Sequence, residues 1–335
     1  MKAFFKKYGV VIAAVAAVVL VAVAVWDGVF NKTAEKDFFA MDTVITVKLK
    51  GRDAEKCIAQ IEKCVTDLDG VLSRHNASSE ISLINKNKGG LLDAKTAEYF
   101  KLFIDVSQNS GGAFDFTLGA VSDLWGFGKT PEVPDESALK KAVSESGYEK
   151  VLLNGNTLTV SGGVVDFGAA GKGIALDEIR TILDDSSVSE AVVSVGGSVL
   201  VRSKKDVKVG IRDPFGNAGR SIATLSLSDA CVSTSGSYER CFEQNGKSYH
   251  HILDPETGYP VNNGLVSVTV VSQSGALSDI LSTTCFVLGI EKGKALAEEY
   301  GCEVIFITED KKVIATNGIA DKLEITDSEY TYYEK

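Results

Sequence analysis

The chain has 335 residues, of which 44% are hydrophobic and only 5 are proline, a composition that can bury a full core and is not that of a disordered protein. Its 45 acidic and 35 basic residues leave a formal net charge of -10, a field that repels nucleic acid and does not hold the body on anionic lipid. No nucleic-acid partner is expected.

The N-terminus reads Met-Lys-Ala-Phe-Phe-Lys-Lys and then runs apolar from Gly9 to Trp26, with no charge before Asp27. That is ~18 residues, or ~27 Å as a helix, against a hydrocarbon core of ~30 Å. Lys2, Lys6 and Lys7 would stay on the cytoplasmic side, so the expectation is a cell-membrane anchor with the body extracytoplasmic. A cleaved signal is the alternative, since Ala22-Val23-Ala24 resembles a processing site, but the run is long for a signal core. No cysteine lies near its end to carry a lipid. Residues 27–37 are polar and read as a tether, which divides the chain into a segment 1–37 and a body 38–335.

From Met41 onward Ile45, Val47 and Leu49 alternate with Val44, Thr46 and Lys48, as in a strand with one buried face. A helix is expected over Ala54 to Leu72, and a second over Ala94 to Ser107 with Tyr99, Leu102, Phe103 and Val106 on one face. Pro131 to Asp135 is a break, with Asp135 or Ser137 capping the helix that follows. Runs at Val151 to Leu153 and Leu158 to Val160 flank Asn154-Gly155-Asn156, a hairpin signal. Further strands are expected at Ala191 to Val195, Val207 to Ile211, Leu265 to Val271 and Val304 to Thr308. Strands and helices do not alternate evenly, so the fold class is α+β, a mixed sheet-and-helix body, not a doubly wound sheet.

Six cysteines show no Cys-x-x-Cys spacing, which argues against a zinc or redox motif. Cys57 and Cys64 stand two helical turns apart, ~10 Å, too far to bridge, and read as core thiols.

Asp166-Phe-Gly-Ala-Ala-Gly-Lys172-Gly173 looks like a P-loop but fails its template. Asp stands where the first glycine belongs, and Gly173 replaces the Ser or Thr. What remains is a glycine-rich turn into a helix, where backbone amides and Lys172 can meet an anion; the plain alternative is a tight strand-to-helix turn. Farther on, Leu277, Leu281, Cys285 and Leu288 form one helical stripe, and Asp279 and Thr283 stack four residues apart on another face. A carboxylate and a hydroxyl suit hard Mg²⁺ better than zinc, although taken alone the pair reads more simply as helix surface or a cap.

The three histidines are His75, His250 and His251. A histidine beside a phosphoryl group can deprotonate a hydroxyl, and two adjacent ones on a strand face opposite ways, so at most one of the pair serves; the competing reading is a partly buried ring satisfied by backbone. Ser235-Gly236-Ser237-Tyr238 is considered as a nucleophile loop, but it lacks the Gly-x-Ser-x-Gly elbow of a serine hydrolase.

Taken in order, several segments resemble the ApbE family of FAD:protein FMN transferases. These are Met41-Asp-Thr, Ser73-Arg-His through Asn85, Gly112-Ala-Phe-Asp115, Leu124-Trp-Gly-Phe-Gly128, Asp166 to Gly173, Val195-Gly-Gly197, Ser235 to Arg240, His251 to Pro260 and Asp279 to Gly289. The resemblance implies FAD as substrate, with the flavin and adenine near Met41, His75, Ala113, Phe114, Asp115, Asp166, Lys172 and Ile252. His75 stands where many members carry Tyr. It also implies Mg²⁺ on Asp279, Thr283 and the backbone carbonyl of Ala169, with His251 as base and Lys172 steadying phosphate charge. The expected acceptor is an exported flavoprotein bearing a modifiable Thr or Ser. Two rivals share these residues: an FAD pyrophosphatase that releases FMN and AMP, and a flavin-binding protein that turns nothing over.

Overall fold

The computed structural model describes residues 32–217 and 219–333. The segment read as an anchor or signal, Gly9 to Trp26, lies outside the described residues. Among the described residues no helix is long and apolar enough to cross a membrane.

The fold is α+β, with helices packed on a large mixed sheet. Its strands are β1 (Thr33–Ala40), β2 (Thr43–Gly51), β6 (Val188–Val195), β7 (Ser198–Arg212), β8 (Ser221–Gly236), β11 (Leu265–Ser272), β12 (Glu303–Thr308), β13 (Lys312–Ala315) and β15 (Thr331–Tyr332), hydrogen-bonded side by side in that order, with β14 (Leu323–Ile325) on the flank of β8. All these pairs are antiparallel except β13 with β15. A small sheet joins β3 (Gly89–Leu91), β5 (Thr157–Val160) and β4 (Val151–Asn154), and β9 (Cys241–Gln244) pairs with β10 (Lys247–His250). The helices are α1 (Ala54–Leu72), α2 (Glu80–Asn87), α3 (Ala94–Asn109), α4 (Gly119–Trp125), α5 (Glu136–Glu145), α6 (Gly171–Asp184), α7 (Gly275–Glu299) and α8 (Asn317–Ala320).

The strand expected after Met41 is β2, and Ile45, Val47 and Leu49 are buried on one face against Ile58, Ile61 and Val65 of α1 and Ile179 and Leu183 of α6. The helix start at Asp135 is as expected, its carboxylate accepting from the Ser137 and Ala138 amides. Two readings change. Thr33 to Asp37, part of the expected tether, form the edge strand β1 in register with β2. An edge strand meets water on most of its surface, so it carries Glu35, Lys36 and Asp37 and gives no apolar alternation. The helix expected around Leu277 to Leu288 is not a one-sided stripe. It is buried on several faces, with Ile280, Leu281, Cys285 and Phe286 closed to solvent and Leu277 and Leu288 only partly covered, and its path breaks at Gly289 (φ 77°, ψ -177°).

All six cysteines are free thiols. Cys57 is core as expected, Cys64 is only half-buried, and Cys241 is exposed.

Candidate functional site

The site is built where α6 crosses α7. Phe167 caps the glycine-rich turn by accepting from the Ala170 and Gly171 amides, and the chain then enters α6. A side chain at Gly173 would place its Cβ 2.1 Å from the Gly275 carbonyl oxygen, and one at Gly275 would lie 2.3 Å from that of Gly173. The helices therefore touch backbone to backbone, which no residue larger than glycine permits.

Two carboxylates exchange places across this contact. Asp279 of α7 accepts from the Gly173 amide (2.9 Å) at the start of α6, and from the Ser198 hydroxyl (3.3 Å). Asp177 of α6 accepts from the Ser274 hydroxyl (2.9 Å), the Gly275 amide (2.5 Å) and the Ala276 amide (2.9 Å) at the start of α7. Each helix thus caps the other's first turn, where unpaired N–H groups and the dipole both favour negative charge.

Of the plain reading of Asp279 and Thr283 as helix surface or a cap, the cap half holds, since Asp279 accepts from the Gly173 amide at the start of α6, while the surface half fails for Asp279 and Thr283 is partly covered. Asp279 is 4% exposed. Burial pushes its carboxyl above the usual aspartate value, while the Lys172 ammonium, the Gly173 amide and the Ser198 hydroxyl pull it back down. A buried carboxylate that still lacks full compensation, with a threonine one turn on along its helix and the glycine-rich turn bonded to it through the Gly173 amide, is a set that fits a hard divalent cation. Among the described residues no group of three or more His, Cys, Asp or Glu gathers. This set holds one carboxylate, and its other oxygens come from a hydroxyl and the backbone.

The Lys172 charge bears on His251 as well as on Asp279. Burial first, then the Arg240, Lys172 and His250 charges, bring the His251 pKa down to about 3, and its Nδ1 is buried without a partner. His250 differs. Its Nε2–H donates to the Val261 carbonyl (2.9 Å) and its Nδ1 accepts from the Ile252 amide (3.3 Å), which satisfies both nitrogens in one neutral tautomer. Of the adjacent pair only His251 keeps a free ring nitrogen.

The other expected residues surround this centre at different depths. Met41 and Asp42 turn the β1–β2 hairpin with φ of 53° and 58°, and the Met41 Cε lies 3.3 Å from where a Gly171 Cβ would be, so the thioether covers the start of α6. Asp166 accepts from the Arg74 Nε (2.7 Å), and the same guanidinium forks onto Asp123 (2.8 and 2.9 Å). His75, next to Arg74, is exposed. The Asp166 amide donates to the Phe116 carbonyl (2.8 Å), which lays the Ala113–Asp115 segment beside the turn. Asp115 holds the Thr117 amide and hydroxyl (2.8 and 2.7 Å), and burial raises its pKa. Phe114 and Ile252 are both buried in the core, Phe114 edge-on to Phe103 at 5.6 Å. The blocks Leu124 to Gly128 and His251 to Pro260 also meet, with the Trp125 Nε1 donating to the Gly258 carbonyl (2.8 Å).

Arg74, Asp177 and Ser198 were not assigned a role from sequence, and Ser235 was considered only as part of a nucleophile loop. Arg74 had a signal, its charge within the Ser73–Asn85 block; Asp177, Ser198 and Ser235 act through partners remote in sequence. A cavity of about 170 Å³ lies between α1 and the end of α6, and one of about 520 Å³ between α1, α3 and α6; neither is lined by an expected site residue.

A family model described as "ApbE family" matches residues 41–306. The chain is 34% identical over 308 residues to the FAD:protein FMN transferase of Treponema pallidum, covering 83% of this chain and 85% of that protein. It is 31% identical to the FAD:protein FMN transferase of Klebsiella pneumoniae, covering 90% and 97%. Among solved structures it superposes on the ApbE protein of Thermotoga maritima with a TM-score of 0.80 at 27% identity, covering 87% of this chain and 99% of that one. The apo flavinyl transferase ApbE of Pseudomonas stutzeri gives 0.75 at 27% identity, covering 88% and 97%.

Proposed function

The chain belongs to the ApbE family, and from that premise we infer that it is an FAD:protein FMN transferase that moves the FMN half of FAD to a Thr or Ser hydroxyl of an acceptor protein, with Mg²⁺, and releases AMP. The observation that carries this reading is the hydrogen bond from the Gly173 amide to Asp279, which joins the glycine-rich turn to the carboxylate helix at one point.

Asp279, Thr283 and the Ala169 carbonyl are the residues that would hold the cation. When bound, the cation neutralises charge on the FAD diphosphate. The Gly173 amide and Ser198 fix the carboxylate of Asp279 so that it need not reorient. Lys172 offers a point charge to phosphate oxygens. His251 takes the acceptor's hydroxyl proton as its oxygen bonds to the FMN phosphorus, and the phosphorus–oxygen bond to AMP breaks, AMP leaving with the electron pair. The ring is a weak base in the free enzyme first because it is buried, and then because Arg240 and Lys172 are nearby cations. Diphosphate between them offsets those charges, so the base strengthens when substrate arrives.

The apolar run Gly9 to Trp26 after three lysines supports a cell-membrane anchor with the body outside, where the acceptor would be an exported flavoprotein. Incubation with FAD, Mg²⁺ and co-expressed exported proteins tests the whole reading by mass spectrometry. An FMN adduct on Thr or Ser supports transfer; release of FMN and AMP with no adduct would make the protein a pyrophosphatase, and no turnover would make it a flavin carrier.

A further inference from the structure

Ser235, at the end of β8, has no role in the scheme above, yet its hydroxyl lies 2.9 Å from the Thr283 hydroxyl and 2.8 Å from that of Ser282. Proton bookkeeping gives this cluster a direction. The Ser282 hydroxyl donates its only proton to the Asp279 carbonyl (2.8 Å), because a carbonyl can only accept. Ser282 must therefore accept from Ser235, which uses up the Ser235 proton. Ser235 can then only accept from Thr283. The chain runs Thr283 to Ser235 to Ser282 to the Asp279 carbonyl, with no alternative order that keeps all three bonds.

A threonine hydroxyl that faces a cation must turn its lone pairs toward it and its proton away. We propose that Ser235 is a positioning residue for the cation: it draws the Thr283 proton toward β8 and leaves the Thr283 oxygen lone pairs facing away from the sheet, toward the metal. This rests on the reading of Asp279 and Thr283 as cation ligands. The same relay ends on the backbone of Asp279, so the two ligating residues are oriented through one connected set of bonds.

One turn earlier the structure supplies its own control. The Ser278 hydroxyl donates to the Gly275 carbonyl (2.8 Å) and stands 2.9 Å from the Ser233 hydroxyl, the same strand-to-helix bond without a third member. Loss of the Ser233 hydroxyl removes a buried bond of the same kind but leaves Thr283 untouched.

The test is Mn²⁺ titration of the full chain in the presence of FAD, with free Mn²⁺ read by electron paramagnetic resonance and FAD affinity measured separately without metal. Ser235→Ala is expected to weaken Mn²⁺ binding roughly 10-fold, the size usual for a group that orients a metal ligand, with metal-free FAD affinity unchanged. Ser233→Ala is expected to lower thermal stability by a similar amount while binding Mn²⁺ like the wild type. If Ser235→Ala does not fold, Ser235→Cys keeps the volume with a weaker acceptor and is expected to repeat the loss. Ser235→Thr, which keeps the hydroxyl, is expected to restore binding. Wild-type Mn²⁺ affinity in Ser235→Ala or Ser235→Cys, with affinity lost in Thr283→Ala, overturns the proposal and leaves the cation site standing. Unchanged Mn²⁺ affinity in both Thr283→Ala and Asp279→Ala overturns the site and the proposal together.

Discussion

Asp279 brings an ionisable oxygen pair into a space where it is 4% exposed, and burial is the largest influence on its proton affinity. A carboxyl whose folded pKa is raised favours the fold when protonated, and that advantage is lost as pH rises above the ordinary value of 3.8 and through the folded one. At neutral pH without metal the residue therefore costs stability. Asp279→Asn should raise the melting temperature of the metal-free protein at pH 7 and abolish flavin transfer; calorimetry across pH should show the gain vanish as pH falls through the ordinary aspartate value. His251 has the opposite sign of charge and a lowered pKa, so the fold binds fewer protons there than the unfolded chain, and stability is lost as pH falls from 6.5 toward 3. His251→Gln should flatten this slope between pH 6.5 and 5, by at most about 2 kcal/mol at 1.36 kcal/mol per unit, and slow transfer by about 10²- to 10⁴-fold. The stacking of Asp279 and Thr283 was legible because helical periodicity places residues four apart on one face, whereas their reading as cation ligands came from the family resemblance. Ser235 was read as a possible nucleophile because nothing local reveals that its proton is committed to a helix 47 residues away.

The two helices of the site hold each other by exchange of caps. Three bonds end on Asp177, and the bonds to the Gly275 and Ala276 amides join α6 to residues 98 and 99 positions later. Asp177→Ala should destabilise the protein by about 2 kcal/mol, the upper range for a lost cap, and weaken cation binding through displacement of α7. Denaturant unfolding checks the first and Mn²⁺ titration the second. No sequence pattern pointed to Asp177, since it sits mid-helix and caps a different one. The same limit explains β8, a 16-residue strand missed entirely: Ser233 and Ser235 occupy positions where alternation would call for apolar residues, because they face hydroxyls of α7. β2, α1 and the hairpin at Asn154 were legible because their burial patterns are set by near neighbours and by turn chemistry.

For the molecule as a whole, the large sheet takes in β1 from Thr33, five residues before the expected start of the body at 38. A chain beginning at Lys32 should fold and transfer FMN to a soluble acceptor, whereas one beginning at Met41 loses eight strand residues, bares the edge of β2, and should melt several degrees lower or aggregate. Circular dichroism melts of the two truncations decide it. The six thiols have a consequence for how such a body can be assembled. Burial holds the Cys285 and Cys231 thiols up at about 12 and 11, far from the thiolate form that attacks disulfides, and no cross-link contributes to the fold. Folding thus requires no oxidase, because no thiol has to be joined to another for the native state to form.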